Sequence, residues 1–124
     1  MQNYFLVFAG GGIGAAARYW LQGLVYQRMG TGFPAGTLLV NIIGCLLIGF
    51  LMSTLEDRFV IYPSLRIFLA IGILGGFTTF SSFSYETMAL LRDGELLYAS
   101  ANVLLSIVTC LGATWLGLTL GKIL

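Results

Sequence analysis

The side chains of this sequence best suited to chemistry fall in one run, Gly75-Gly76-Phe77-Thr78-Thr79-Phe80-Ser81-Ser82-Phe83-Ser84, built from glycine, hydroxyl and phenylalanine residues alone. Apolar stretches flank it, Ile67 to Leu74 on one side and Met88 to Leu91 on the other. The hydroxyls of Thr79, Ser81 and Ser82, together with the Asn41 amide, are donors able to replace water around a small anion. A phenyl ring has a positive edge, so Phe80 and Phe83 can line an anion's path without supplying a fixed cation. Unwound backbone from Gly75 to Thr78 would expose carbonyl oxygens, and carbonyl clusters coordinate Na⁺ or K⁺. Phe80, Phe83 and Glu86 recur at intervals of three, roughly one face of a helix that resumes after the interruption. Glu86 is a functional candidate because carboxylates at membrane depth are costly. Arg18 is its expected counter-charge, and a salt bridge that fixes the helices is the competing structural role.

Two polar stripes accompany this run. Thr37, Asn41 and Cys45 lie four residues apart, as do Asn102, Ser106, Cys110 and Thr114. That spacing gathers each set on one helix face. Such a stripe is either hydrogen-bonding glue between helices or the wall of a polar path. Cys45 and Cys110 each sit midway along an apolar run and read as small packing residues rather than a disulfide or metal site. The sequence contains no histidine. A histidine-ligated metal and a histidine general base are therefore excluded, no nucleophile–base pair can be assembled, and an enzyme is not expected.

The elements that must position these groups belong in a membrane. Of 124 residues, 58% are hydrophobic and only 9% charged, against about 25% charged in soluble domains; mean hydropathy is +0.94. The net charge of +1 and the lack of a basic tract argue against a nucleic-acid partner. A spanning helix needs about 20 mostly apolar residues, and four stretches qualify, at approximately 4–26, 35–55, 65–91 and 96–123. The first lacks a positively charged leader and reads as a retained span. Turn-forming residues separate them at Gly30 to Pro34, at Glu56 to Pro63 and at Arg92 to Glu95. The expectation is an all-α integral membrane protein: a single domain, 1–124, of four transmembrane helices with the third broken.

Glycine pairs spaced by four, Gly10/Gly14, Gly72/Gly76 and Gly117/Gly121, suit close helix packing. The Gly10 to Ala15 run touches the dinucleotide-binding fingerprint, but it lies in an apolar helix with no acidic residue suitably placed for a ribose. Charge leaves the orientation undecided. Arg58, Arg66 and Lys122 fall on one side; Arg28 and Arg92 fall on the other, with Arg18 if it reaches the first loop. The positive-inside rule finds almost no bias to act on, so dual topology and an antiparallel dimer are expected.

The block from Gly75 to Ser84, with Glu86 two residues on, resembles the G-G-[FL]-T-T-F-S-T-F-S-x-E signature of the CrcB/Fluc fluoride channels. Gly36-Thr37-Leu38-x-x-Asn41-x-x-Gly44 and Gly11-Gly12-x-Gly14-Ala15-x-x-Arg18-Tyr19 are similar to the same family's second-span and first-span patterns. The resemblance covers the whole chain. It implies a passive, fluoride-selective channel that discharges cytoplasmic fluoride across the bacterial plasma membrane. It further implies an antiparallel dual-topology homodimer in the lipid bilayer, with two separate pores. A structural, non-transported Na⁺ would rest on the backbone carbonyls of Gly75 and Thr78. The ion pathway would carry over to Asn41, Phe80, Phe83, Ser81 and Ser82, with the fourth-span track on Asn102, Ser106 and Cys110 and with Thr37 extending the second-span stripe. Arg18 and Glu86 would be structural or gating charges. The sequence departs from the family at Asn102, where Tyr is frequent, at Cys110, where Ser or Thr is frequent, and at Ser82, where Thr is usual. The main rival is a small dual-topology multidrug exporter; such pumps need a membrane carboxylate, and the first span here has none. A non-transporting packing subunit is a further alternative.

Overall fold

A computed structural model describes residues 1–124, and every regular element in it is helical. α1 (Gln2–Met29) and α7 (Leu96–Ile123) are the long rods, 28 residues each, or about 42 Å at 1.5 Å per residue. Between them lie α2 (Ala35–Thr54), the short α3 (Glu56–Ile61), α4 (Pro63–Arg66), a π-helical stretch (Ile67–Leu74), α5 (Gly75–Phe77) and α6 (Phe80–Arg92). Three segments are long and apolar enough to cross a membrane: Ala35–Thr54, Pro63–Arg92 and Leu96–Ile123. α1 matches α7 in length, but its glycines and the polar residues Arg18 and Gln22 dilute its hydropathy.

Local chemistry sets the boundaries. Gly30, with φ 78°, ends α1 in the left-handed region and returns its N–H to the Tyr26 carbonyl at 3.0 Å. Pro63 opens α4 at a position where its missing N–H costs nothing. The Glu56-Asp57-Arg58 punctuation is a helical turn rather than a loop, with both acids in the first turn of α3 where the helix dipole favours them. α1 also runs three residues past the expected end at Tyr26.

Two helix pairs make the bundle: α1 against the π-helical stretch and α5, and α2 against α7. Glycine permits both. A Cβ at Gly10 would come within 2.7 Å of the Phe68 carbonyl oxygen, and one at Gly14 would overlap the Ile73 carbonyl. On the other pair, a Cβ at Gly49 would overlap the Thr114 carbonyl, and one at Gly117 the Leu46 carbonyl. Gly10, Gly14, Gly72, Gly76 and Gly117 are therefore backbone-to-backbone contacts, whereas Gly121 faces the Ser53 side chain. The π-helical turn was not legible beforehand. There the Gly75 N–H reaches back to the Ala70 carbonyl, five residues earlier, and the wider turn presents its backbone to Gly10 and Gly14.

Candidate functional site

Helix stops at Phe77 and starts again at Phe80. Between them Thr78 (φ −90°, ψ 159°) and Thr79 (φ −151°, ψ 123°) are extended. Side chains replace the helical bonds lost there. The Asn41 amide on α2 clasps Thr79 at both backbone groups, Nδ2–H donating to the carbonyl at 2.9 Å and Oδ1 accepting from the N–H at 2.8 Å. Thr79 caps α6, its hydroxyl oxygen accepting from the Ser82 N–H at 3.2 Å and donating to Ser82 Oγ at 3.2 Å. Thr78 Oγ1 donates to the Leu74 carbonyl at 3.1 Å. Arg18 Nε donates to the Gly76 carbonyl at 3.1 Å, capping the end of the preceding helix.

These substitutions release two carbonyls. In an unbroken helix the Thr79 N–H would close on the Gly75 oxygen and the Ser82 N–H on the Thr78 oxygen. Both amides bond side-chain oxygens instead.

Two clefts flank the interruption. The larger, about 590 Å³, brings Asn41, Phe80, Phe83, Ser106 and Cys110 together with Gly75, Thr78 and Thr79. The Phe80 and Phe83 rings are 5.3 Å apart at 48°, and Phe80 is 78% exposed, so its edge is not consumed by the core. Cys45, read from the sequence as a packing residue, also lines this cleft. The smaller cleft, about 510 Å³, gathers Thr37, Ser81, Ser82 and Glu86 with Gln22, Tyr26 and Tyr85. Gln22 donates to Thr37 Oγ1 at 3.0 Å.

Three expectations are corrected. Arg18 does not pair with Glu86: Arg18 serves the Gly76 carbonyl, whereas Glu86 Oε2 accepts from the Tyr26 hydroxyl at 3.1 Å. The other carboxylate oxygen, Oε1, is buried without a partner. Phe80, Phe83 and Glu86 do not share a face. Each three-residue step falls about 60° short of a full turn, so the two rings line the larger cleft and Glu86 the smaller. The four-residue stripes drift the other way. Thr37 separates from Asn41 and Cys45 into the smaller cleft, and Asn102 leaves Ser106 and Cys110. Asn102 is 2% exposed; its amide donates to Thr87 Oγ1 at 2.9 Å, and Thr87 donates to the Phe83 carbonyl at 2.8 Å. Gln22, Tyr26 and Thr87 are the polar partners that sequence reasoning missed. Their only signal was a polar side chain in an otherwise apolar helix.

Long apolar helices whose polar groups converge on an interrupted span define a multi-pass membrane protein. A family model described as CrcB-like protein, Camphor Resistance (CrcB), matches residues 5–118, and the chain belongs to that family. Its curated relatives include the fluoride-specific ion channel FluC of Geotalea uraniireducens (strain Rf4), 54% identical over 121 residues that cover 98% of this chain and 96% of the relative. The protein of the same name from Geotalea daltonii is 50% identical over 122 residues, 98% of each chain. That of Methylocella silvestris is 48% identical over 117 residues, 93% of this chain and 89% of the relative.

Proposed function

We propose that this chain is a fluoride-selective passive ion channel that lets cytoplasmic fluoride leave a bacterial cell down its electrochemical gradient. The carrying observation is the larger cleft, which sets the Phe80–Phe83 ring pair, the Ser106 hydroxyl and the Asn41 amide around the interrupted span. The names and near-complete coverage of the curated relatives support the same ion. Fluoride is small and strongly hydrated, so it needs replacement donors along its whole path. Serine hydroxyls, the remaining Asn41 N–H and ring edges supply them without a strong cation that would trap the ion. An inside-negative potential drives the anion outward with about 2.3 kcal/mol per charge per 100 mV, and no coupled ion or nucleotide is required.

In this reading α1 is a fourth span, and two copies assemble antiparallel, each with its own pore. The near-equal division of basic residues favours insertion both ways up. A structural Na⁺ fits the released carbonyls. Gly75 and Thr78 would hold it, since their oxygens have lost the amides that a continuous helix would provide. The ion would supply positive charge that ties the two copies together.

Purified protein in liposomes, read with fluoride and chloride electrodes, tests the function. Rapid loss of fluoride alone, strongly slowed by Phe80→Ile, is the expected result. Equal chloride loss would remove the selectivity, and proton-coupled transport of an organic cation would replace the channel with an exporter.

A further inference from the structure

Cys45 and Cys110 are far apart in sequence and carry no metal-binding spacing, yet the fold sets them side by side. Both are free thiols, half-buried, and both line the larger cleft. They stand on α2 and α7, which pack directly against each other, and both thiols belong to the same stretch of cleft wall. The backbone fixes that proximity. One helical turn beyond Cys45 lies Gly49, and one turn beyond Cys110 lies Thr114; a Cβ at Gly49 would overlap the Thr114 carbonyl. The helices are therefore at contact distance beside the thiols.

We infer that Cys45 and Cys110 form a two-thiol site for a soft, two-coordinate divalent cation, the mercuric ion, and that its occupation obstructs the cleft beside Phe83 and Asn41. Thiolates select soft metals. Zn²⁺ calls for four ligands, and the chain contains no cluster of three or more His, Cys, Asp or Glu residues to approach that number. Charge decides among the two-coordinate ions. Two S–H bonds break, two S–Hg bonds form and two protons leave to water, so the bound site is neutral. Ag⁺ or Cu⁺ on the same two thiolates would leave one negative charge in an apolar wall, which is costly.

The test titrates mercuric ion into purified protein in the presence of free cysteine as competitor, with maleimide labelling and intact mass as readouts. One mercury per chain and loss of both labelled thiols are expected. Cys45→Ser and Cys110→Ser, each nearly isosteric, should each bind at least a hundredfold more weakly under competition, because one thiolate cannot chelate. Two mercuries per chain, or equal affinity in wild type and single variants, would overturn the site. This count is independent of which ion the protein carries.

Fluoride efflux from liposomes is the second arm, and it rests on the channel reading. Block of the wild type that a small dithiol reverses is expected, with each variant compared with its own mercury-free rate. Mercury bound at one per chain with fluoride efflux unchanged would leave the thiol site and refute the obstruction. If wild-type liposomes pass no fluoride at all, the channel reading fails while the binding count still stands.

Discussion

Asn41→Leu keeps the side-chain volume and removes the clasp on Thr79. The structure gives the magnitude: two hydrogen bonds, at 2.9 and 2.8 Å, are lost from one residue's N–H and carbonyl. An orphaned buried backbone group costs about 1–3 kcal/mol. The site is half-buried, which favours the lower part of that range, so the pair amounts to about 2–4 kcal/mol. The chain can recover some of this by returning the Thr79 N–H to the Gly75 oxygen, which rewinds the helix. That relaxation consumes one of the two carbonyls proposed for Na⁺. Two readouts are therefore linked. Thermal unfolding in detergent should show the variant less stable by about 2–4 kcal/mol. Exchange of Na⁺ for a bulky organic cation should destabilise wild type, by about 2.7 kcal/mol if Na⁺ stood at a hundred times its dissociation constant, and leave the variant almost unaffected. A variant within about 0.5 kcal/mol of wild type, the range of an inert surface change, with its sodium response intact, would refute the clasp as the device that opens the helix.

Gly14→Ala sets a methyl into the Ile73 carbonyl and near the Phe77 amide; backbone cannot yield cheaply, so a loss of about 1–3 kcal/mol or failed assembly is expected in unfolding and chromatography. Gly44→Ala drives a methyl into the Thr78 γ-methyl; Thr78 can clear it only by rotating away from the Leu74 carbonyl, so a loss of stability together with a shifted sodium response is expected. Asn102→Ala and Thr87→Val remove two ends of one hydrogen bond; their double-mutant cycle should show coupling of about 1 kcal/mol in stability, and fluoride-over-chloride selectivity should survive in Asn102→Ala. Thr79→Val strips the cap from α6 and should cost about 1 kcal/mol of stability, whereas Ser82→Ala should lower fluoride flux with little change in unfolding.

Much of this was legible because membrane chemistry leaves few solutions. Hydropathy located three of the four expected spans, and an interruption rich in Gly, Ser and Thr could survive among them only where protein or water satisfied its backbone. Spacing was less informative. Steps of three and four approximate a helical turn of 3.6 residues from opposite sides, so Phe80, Phe83 and Glu86 diverge, as do Thr37 and Asn41. The Arg18–Glu86 pairing failed for a different reason. Opposite charges suggested a partner, but a helix end already offered Arg18 a carbonyl at Gly76, and Tyr26 reached Glu86. The π-helical stretch had no sequence signal; in the fold its backbone lies directly against α1 at Gly10 and Gly14.

The interruption presents two helix ends of opposite polarity at one place. The segment that ends at Phe77 points carbonyls and the negative end of its dipole toward Thr78; α6 begins at Phe80 with free amides and the positive end. A proline kink would disturb one helix without creating two facing ends. The threonines bind this geometry in place, since the hydroxyls of Thr78 and Thr79 both donate within the chain. The serines are left to act: Ser82 Oγ accepts from Thr79 and keeps its own proton, and Ser106 stands in the cleft wall. The cation site proposed at Gly75 and Thr78 and the anion path proposed from Phe80 onward would thus be consequences of a single device. Any substitution that heals the helix should remove both together, while one that removes a serine proton should touch only the anion.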